Sequence, residues 1–258
     1  MDRDDRTVNI LGLKAHKVDM DDAVCRVREM LADGQVHQVV TLNAEMAMLA
    51  QGDPALARII NCADLVVPDG VGVVWASRVL GNPLPGRVAG FDLMLELLAC
   101  AERERWSVFL LGAAPGVAEE AASRLRARLP GLLVAGTHHG YLTEADDPAV
   151  VEKLNATGAQ LVFVAMGAPR QDKWIARNKS SLRPSICIGV GGSFDVLAGK
   201  VSRAPRWIGN AGLEWLYRLV LQPRRIVRMM ALPRFVFRVF AAKYAKRGGL
   251  RFHSDPYQ

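Results

Sequence analysis

Apolar and polar positions along this chain fall into blocks with two different periods. Asp21-Asp22 is followed by Ala23, Val24, Val27, Met30 and Leu31, with Gly34 behind them. Apolar residues at i, i+1, i+4, i+7 and i+8 form one stripe, so the spacing predicts an N-capped surface helix that stops at a glycine. Six short runs rich in β-branched residues come next, at 36–42, 64–67, 106–111, 132–135, 161–166 and 185–190. Each has the length of a buried strand. Helical patterns fill the gaps at 44–50, 54–62, 71–80, 91–104, 115–129, 148–155 and 169–179. Strand and helix in regular alternation predict an α/β fold, a mainly parallel, Rossmann-like sheet covered by helices on both faces. The run 8–14 would add a strand or hairpin.

From Lys200 onward the alternation stops. Pro223 and Pro233 divide the remainder into short helices near 211–222, 224–232 and 234–246. Two regions are therefore expected, an α/β domain over 1–199 and a helical appendage over 200–258.

Charge sharpens this division. Residues 1–199 carry 20 Lys and Arg against 24 Asp and Glu, whereas residues 200–258 carry 13 against 2. The net charge of +7 thus belongs to the appendage, where arginines alternate with Trp207, Trp215, Tyr217, Phe235, Phe237, Phe240 and Tyr244. Such mixing suits a helix in a lipid headgroup layer, a nucleic-acid patch or a plain solvated face. The longest stretch without an ionised side chain, 154–169, is broken by Asn155, Thr157, Gly158 and Gln160, so no bilayer-spanning helix is expected. The acidic start, Met1 to Arg6, lacks the apolar segment of a secretory signal, which predicts a cytoplasmic address. Cys25, Cys62, Cys100 and Cys187 form no CxxC pair and have no histidine nearby, so they read as small buried hydrophobes.

In an open parallel sheet, ligands bind beyond the carboxyl ends of the strands. The residues found there are Thr41-Leu42-Asn43, Pro68-Asp69-Gly70, Gly112-Ala113-Ala114, Met166-Gly167-Ala168-Pro169-Arg170-Gln171 and Gly189-Val190-Gly191-Gly192. Glycine turns such as those at Gly112, Gly167 and Gly191 let backbone approach a ligand and aim helix N-termini at an anion, which points to a phosphorylated substrate. None is a complete Walker A or GxGxxG motif, which weakens NTPase and dinucleotide readings. Asp19-Met20-Asp21 precedes a helix, and helix capping explains it better than a metal-diphosphate site. Asp69, between Pro68 and Gly70 on a tight turn, is either a helix cap or a general base. His138-His139 reads as a surface pair, and Asp172 as a structural carboxylate paired with Arg170 and Lys173. Glu45 falls in the first turn of a helix, where the dipole favours it.

Several of these strings, taken in order, resemble the WecG/TagA/CpsF family of bacterial glycosyltransferases. They are Thr41-Leu42-Asn43-Ala44-Glu45, the run from Ala63 to Val74 around Pro68-Asp69-Gly70, Arg87-Val88-Ala89-Gly90-Phe91-Asp92-Leu93, Gly140-Tyr141, the run from Met166 to Trp174, and Gly191-Gly192-Ser193-Phe194-Asp195. The resemblance spans roughly residues 8 to 240. It implies transfer of a sugar, of N-acetylmannosamine type or glucose, from a UDP-sugar to an undecaprenyl-diphosphate-linked sugar. That would occur at the cytoplasmic membrane face, with inversion and without metal or cofactor, in cell-wall or exopolysaccharide synthesis. It further implies Asp69 as catalytic base, Thr41 and Asn43 near the reaction centre, Arg87 and Gln171 in the donor and phosphate pocket, and Asp195 near the uridine. Arg218, Arg225 and Arg228 would close over the diphosphate from the appendage. An anionic membrane surface is then a partner and nucleic acid is not. Without membrane, the exposed apolar residues of the appendage would pair with another copy. Two competing readings remain open on the residues alone. One is a non-enzymatic, nucleotide-responsive scaffold that binds membrane or nucleic acid through its basic tail, and the other is a dehydrogenase with a degenerate glycine loop.

Overall fold

The fold is known from a computed structural model, which describes residues 6–183, 185–202 and 230–247. It opens on an antiparallel hairpin, β1 (Thr7–Ile10) and β2 (Leu13–His16), turned by Leu11 and Gly12, both at positive φ. Two left-handed residues in a row twist the turn in the sense that the strands require. Helix α1 (Met20–Ala32) follows. Its cap is Asp19, whose carboxylate accepts the Asp22 N–H at 2.9 Å while Asp22 accepts the Asp19 N–H at 3.2 Å. Capping thus occupies the Asp-x-Asp string, and Asp21 and Asp22 sit in the first turn, where the helix dipole favours them.

The remaining elements alternate as expected. They are β3 (Val36–Leu42), α2 (Ala44–Gln51), α3 (Pro54–Cys62), β4 (Leu65–Pro68), α4 (Val71–Val79), α5 (Gly90–Glu104), β5 (Ser107–Gly112), α6 (Val117–Arg128), β6 (Leu133–His138), α7 (Asp147–Thr157), β7 (Leu161–Ala165), α8 (Arg170–Asn178), β8 (Ser185–Gly189) and the short α9 (Ser193–Leu197). Six strands form one sheet in the order β4-β3-β8-β7-β5-β6, and every neighbouring pair is parallel. Helices cover both faces. On one, α1, α5, α6 and α9 bury Val39, Leu65, Leu110, Phe163 and Ile188. On the other, α2 and α3 bury Val40, Leu42 and Val66, and α7 and α8 bury Phe109, Val162 and Val164. Successive strand residues thus enter opposite cores, as the pleat requires, which is why the runs are apolar throughout.

Both sheet edges depart from a plain buried strand. β6 was expected to be buried, yet its side chains are exposed or half-buried, because it has a strand neighbour on one side only. At the other edge the hairpin folds over β4, and His16 Nδ1 accepts the Val66 N–H at 2.9 Å. That occupies an edge amide that would otherwise be open to a foreign strand. The cysteines divide: Cys100 and Cys187 are buried as expected, but Cys25 and Cys62 are exposed, each on the outer side of its amphipathic helix.

A final helix, α10 (Ala231–Arg247), packs against α2 and α4. Pro233 lies inside its first turn, where no intrahelical N–H is needed, so the helix starts ahead of the proline instead of behind it. Phe235 and Val239 enter the core shared with α2 and α4, and the Phe240 ring stands edge-on to Trp75 at 5.6 Å. Of the other two helices expected in the appendage, 211–222 lies outside the described residues, as does 224–229 of the second, whose last two residues, Ala231 and Leu232, belong to α10.

Candidate active site

Because the six strands are parallel, their carboxyl ends share one edge of the sheet, and the helices that follow them start there. At β4, the Asp69 N–H donates to the Leu42 carbonyl at 2.8 Å, which extends the β3–β4 ladder one residue past the strand. The chain then turns at Gly70, whose φ of +102° is open to glycine and strained for other residues. Gly70 is the N-cap of α4 and, having no side chain, supplies no cap of its own. Asp69 itself, half-buried, sits one residue ahead of that cap position, at the carboxyl edge of the sheet.

Neighbouring segments converge on this turn. Asn43 caps α2 by accepting the Met46 N–H at 2.9 Å, and its Cβ lies 3.8 Å from where a Cβ on Gly70 would stand. The loop carrying Arg87 is tied to the same corner, since the Val88 N–H donates to the Pro68 carbonyl at 2.8 Å. Thr41, buried, donates its hydroxyl to the Gly189 carbonyl at 3.1 Å, and its methyl fills the place of a side chain on Gly90. It joins β3, β8 and the start of α5. On β8, the Gly191 N–H donates to Oε1 of buried Gln171 at 2.9 Å. Gln171 thereby holds the turn after β8 against the start of α8.

Thr41, Asn43, Asp69, Arg87, Gln171 and Gly191 are thus gathered at the ends of β4, β3 and β8. Gly112 is not among them. It ends β5, four strand spacings or roughly 19 Å from β4. Its φ is +142°, and a Cβ there would lie 2.5 Å from the Ala165 backbone, so strand packing alone requires a glycine here. Gly112→Ala is expected to destabilise the fold by about 3 kcal/mol or more, a loss to be read from denaturant unfolding. Gly167, at φ +77°, faces open space beside the cis Ala168–Pro169 bond, and its carbonyl accepts the Gln171 N–H. Asp195 sits half-buried in α9. Arg218, Arg225 and Arg228 lie outside the described residues.

The chain leaves β5 toward β6 and leaves β7 the opposite way, toward β8. The neighbouring pair β5 and β7 therefore forms a switch point, the place where such sheets bind ligands, and Gly112 lies there, apart from the cluster at β4, β3 and β8. The helices that start at this edge are not alike: α2 is capped by Asn43, whereas Gly70, Gly116 and Pro169, at the cap positions of α4, α6 and α8, supply no side-chain cap and leave part of each first turn open to an anion. An uncapped row of helix starts beside a carboxylate suits a reaction in which a phosphorylated group departs with negative charge.

A family model described as "Glycosyl transferase WecG/TagA/CpsF family" matches residues 8–249. The chain belongs to this family. Its curated relatives include proteins named N-acetylglucosaminyldiphosphoundecaprenol N-acetyl-beta-D-mannosaminyltransferase. The one from Bacillus spizizenii is 38% identical over 198 residues, 77% of this chain and 76% of the relative. The Bacillus subtilis protein is 35% identical over 209 residues, 81% of each chain. The Staphylococcus aureus protein is 35% identical over 238 residues, 92% of this chain and 93% of its own. The chain is therefore a glycosyltransferase.

Within this family frame, two side-chain expectations need correction. Asp172 is not paired with its sequence neighbours: Arg170 turns to the carbonyls of Gly140 and Leu142, and Lys173 to Asp53 at the cap of α3. Asp172 instead points inward and is fully buried, and among the described residues its carboxyl oxygens have no hydrogen-bond partner. Burial pushes its pKa up to about 7. Helical spacing carried this signal, since Asp172 shares the inner face of α8 with Trp174, Ile175 and Asn178. The histidines are not an exposed pair either. Both are half-buried, with ring centroids 4.5 Å apart, because β6 ends at His138 and the alternation of an extended strand ends with it.

Proposed function

We propose that this transferase moves an N-acetylmannosamine-type sugar from a UDP-sugar to N-acetylglucosamine on undecaprenyl diphosphate, in bacterial cell-wall polysaccharide synthesis. The names of the curated relatives support this transferred sugar and acceptor over glucose transfer. One observation carries the mechanism: a half-buried carboxylate on the turn after β4 stands at the carboxyl edge of the sheet where Asn43 and the loop carrying Arg87 converge. Asp69 accepts the proton of the attacking acceptor hydroxyl as its oxygen bonds to the anomeric carbon. The bond from that carbon to the UDP oxygen breaks from the opposite face, which inverts the configuration. Charge on the departing diphosphate is met by first-turn amides and by Arg87, with Arg218, Arg225 and Arg228 closing over it, so no divalent ion is needed. Asn43 and Thr41 shape the reaction centre, Gln171 and the turns at Gly167 and Gly191 the phosphate pocket, and Asp195 the uridine end.

The acceptor is a lipid, so the enzyme works at the cytoplasmic face of the membrane as a peripheral protein. Among the described residues no helix is long and apolar enough to cross a bilayer. Helix α10 supports surface attachment, because its outward side exposes Val236, Phe237, Phe240 and Tyr244. A groove of about 630 Å³ between α2 and α10 is lined by Met48, Phe237, Arg234 and Arg238, which pairs apolar contact with cations. In the absence of lipid the same face joins two copies.

The test is a donor panel. Purified protein with N-acetylglucosaminyl-diphosphoundecaprenol, in the presence of EDTA, is expected to form a disaccharide from UDP-N-acetylmannosamine, with inverted anomeric configuration by NMR. No product from any UDP-sugar, no thermal shift with UDP, and nucleic-acid binding that falls steeply with salt would instead establish the scaffold reading.

A further inference from the structure

Beneath the candidate site lies a buried acid to which the mechanism assigns nothing. Asp172 is in the first turn of α8, next to Gln171, and has 0% of its surface exposed. Its Oδ1 is 3.2 Å from where a Cβ on Gly189 would stand, and the Gln171 amide crowds the same spot. The two side chains therefore press together on the last residue of β8. From this contact the chain runs directly into the turn whose Gly191 N–H bonds Gln171 Oε1. The Asp172 carbonyl accepts from Gln38 Nε2 at 3.1 Å, which anchors the backbone but leaves the carboxyl to its surroundings.

Charged groups nearby are committed elsewhere. On α8, Arg170 binds backbone carbonyls and Lys173 binds Asp53 of α3. Lys179, just beyond α8, binds Asp64. Cys187, on the same face of β8 two residues before Gly189, is a thiol that burial pushes up to about 12 and so remains neutral. Burial is the dominant influence on the Asp172 proton, opposed only by the residue's own backbone N–H, whose approach to the carboxyl falls short of hydrogen-bond geometry, and by no charged neighbour.

We propose that Asp172 is a positioning residue of the candidate site: as the neutral acid it packs against Gly189 and keeps Gln171 on the Gly191 amide, and as the carboxylate it releases that turn. The proton leaves to solvent, and the buried charge left behind is met by water entering at its nearest movable neighbour, the glycine turn after β8. A site that must grip a diphosphate is thereby loosened from below as pH rises. The consequence for sugar transfer rests on the reading given under Proposed function; the structural consequence does not.

The experiment compares the full-length protein with Asp172→Asn, which keeps the shape and cannot ionise. Hydrogen-exchange protection of the Gly191 amide, corrected for intrinsic rate, is expected to fall at least tenfold from pH 6 to pH 8.5 in the wild type and to stay level in the variant. The folded chain holds the Asp172 proton to about pH 7, whereas the unfolded chain releases it near pH 4. Stability from this group is therefore complete below about pH 4, declines as pH rises to about 7, and then levels. The thermal midpoint of the wild type should fall relative to the variant over that window. Transfer measured at pH 8.5 relative to pH 6.5 should be higher in the variant than in the wild type. Protection that is flat in the wild type, or that falls equally in both proteins, overturns the proposal. A change in thermal midpoint without a change in Gly191 protection overturns it too, by reducing Asp172 to a buried acid with no positioning role. Absence of transfer in both proteins at every pH would count against the donor reading and leave the exchange result to decide the role of Asp172.

Discussion

Replacing Asp69 by Asn is expected to lower turnover by about 10²–10⁴-fold, the usual contribution of a positioned general base, with UDP affinity essentially unchanged. The two side chains have nearly the same shape, and the backbone bond from Asp69 to the Leu42 carbonyl is untouched, so the turn after β4 should keep its form. What is lost is the ability to accept the acceptor hydroxyl proton. In the proposed mechanism helix starts and arginines bind the donor, so a melting shift with UDP should survive. Normal turnover in Asp69→Asn would remove this residue from the chemistry and leave the carboxyl edge of the sheet without its proposed base. Loss of both turnover and the UDP shift would make Asp69 part of the donor site instead.

Phe235→Ala should produce the largest change in stability, about 3–5 kcal/mol, as expected when a buried aromatic is cut back to a methyl. For a chain of this size the midpoint would drop by about 10 °C. Phe235 is almost wholly buried, and its ring lies 3.8 Å from where a Cβ on Gly72 would stand, two residues past Gly70. Its loss therefore loosens α10 beside the candidate base, and transfer should fall with stability. Phe237 offers the contrast, being 74% exposed two residues along the same helix. Phe237→Ala should change stability by less than about 0.5 kcal/mol and act on binding to anionic vesicles instead. Equal destabilisation by both variants would refute the assignment of one face of α10 to the core and the other to lipid. The packing of Phe235 and Val239 also means that a chain cut near Arg203 would lose core residues as well as tail cations, so truncation is a poor probe of the arginines alone.

Much of this architecture is local in origin. Each strand run is apolar because both faces of its sheet are covered, and each helix repeats its apolar positions at the helical period, so the order of elements and the parallel sheet follow from spacing alone. The turns after β3, β4, β7 and β8 announce themselves through glycine, proline and polar residues placed directly behind apolar runs. The family could be read from those strings for the same reason, because they are contiguous in the chain.

Other properties depend on residues far apart in sequence, and only tertiary packing decided them. Strand order is set by which helices share a core, and it puts the ends of β4, β3 and β8 side by side while moving Gly112 to the far half of the edge. Which residue takes the N-cap position of α4 depended on the φ of Gly70, and whether Asp172 met a cation depended on Arg170 and Lys173 finding better partners across the fold. The half-buried histidines, the exposed edge of β6 and the anchoring of α10 by Phe235 belong to the same class. Burial and pairing are properties of neighbours in space, and a chain position carries no information about them until the sheet has closed over it.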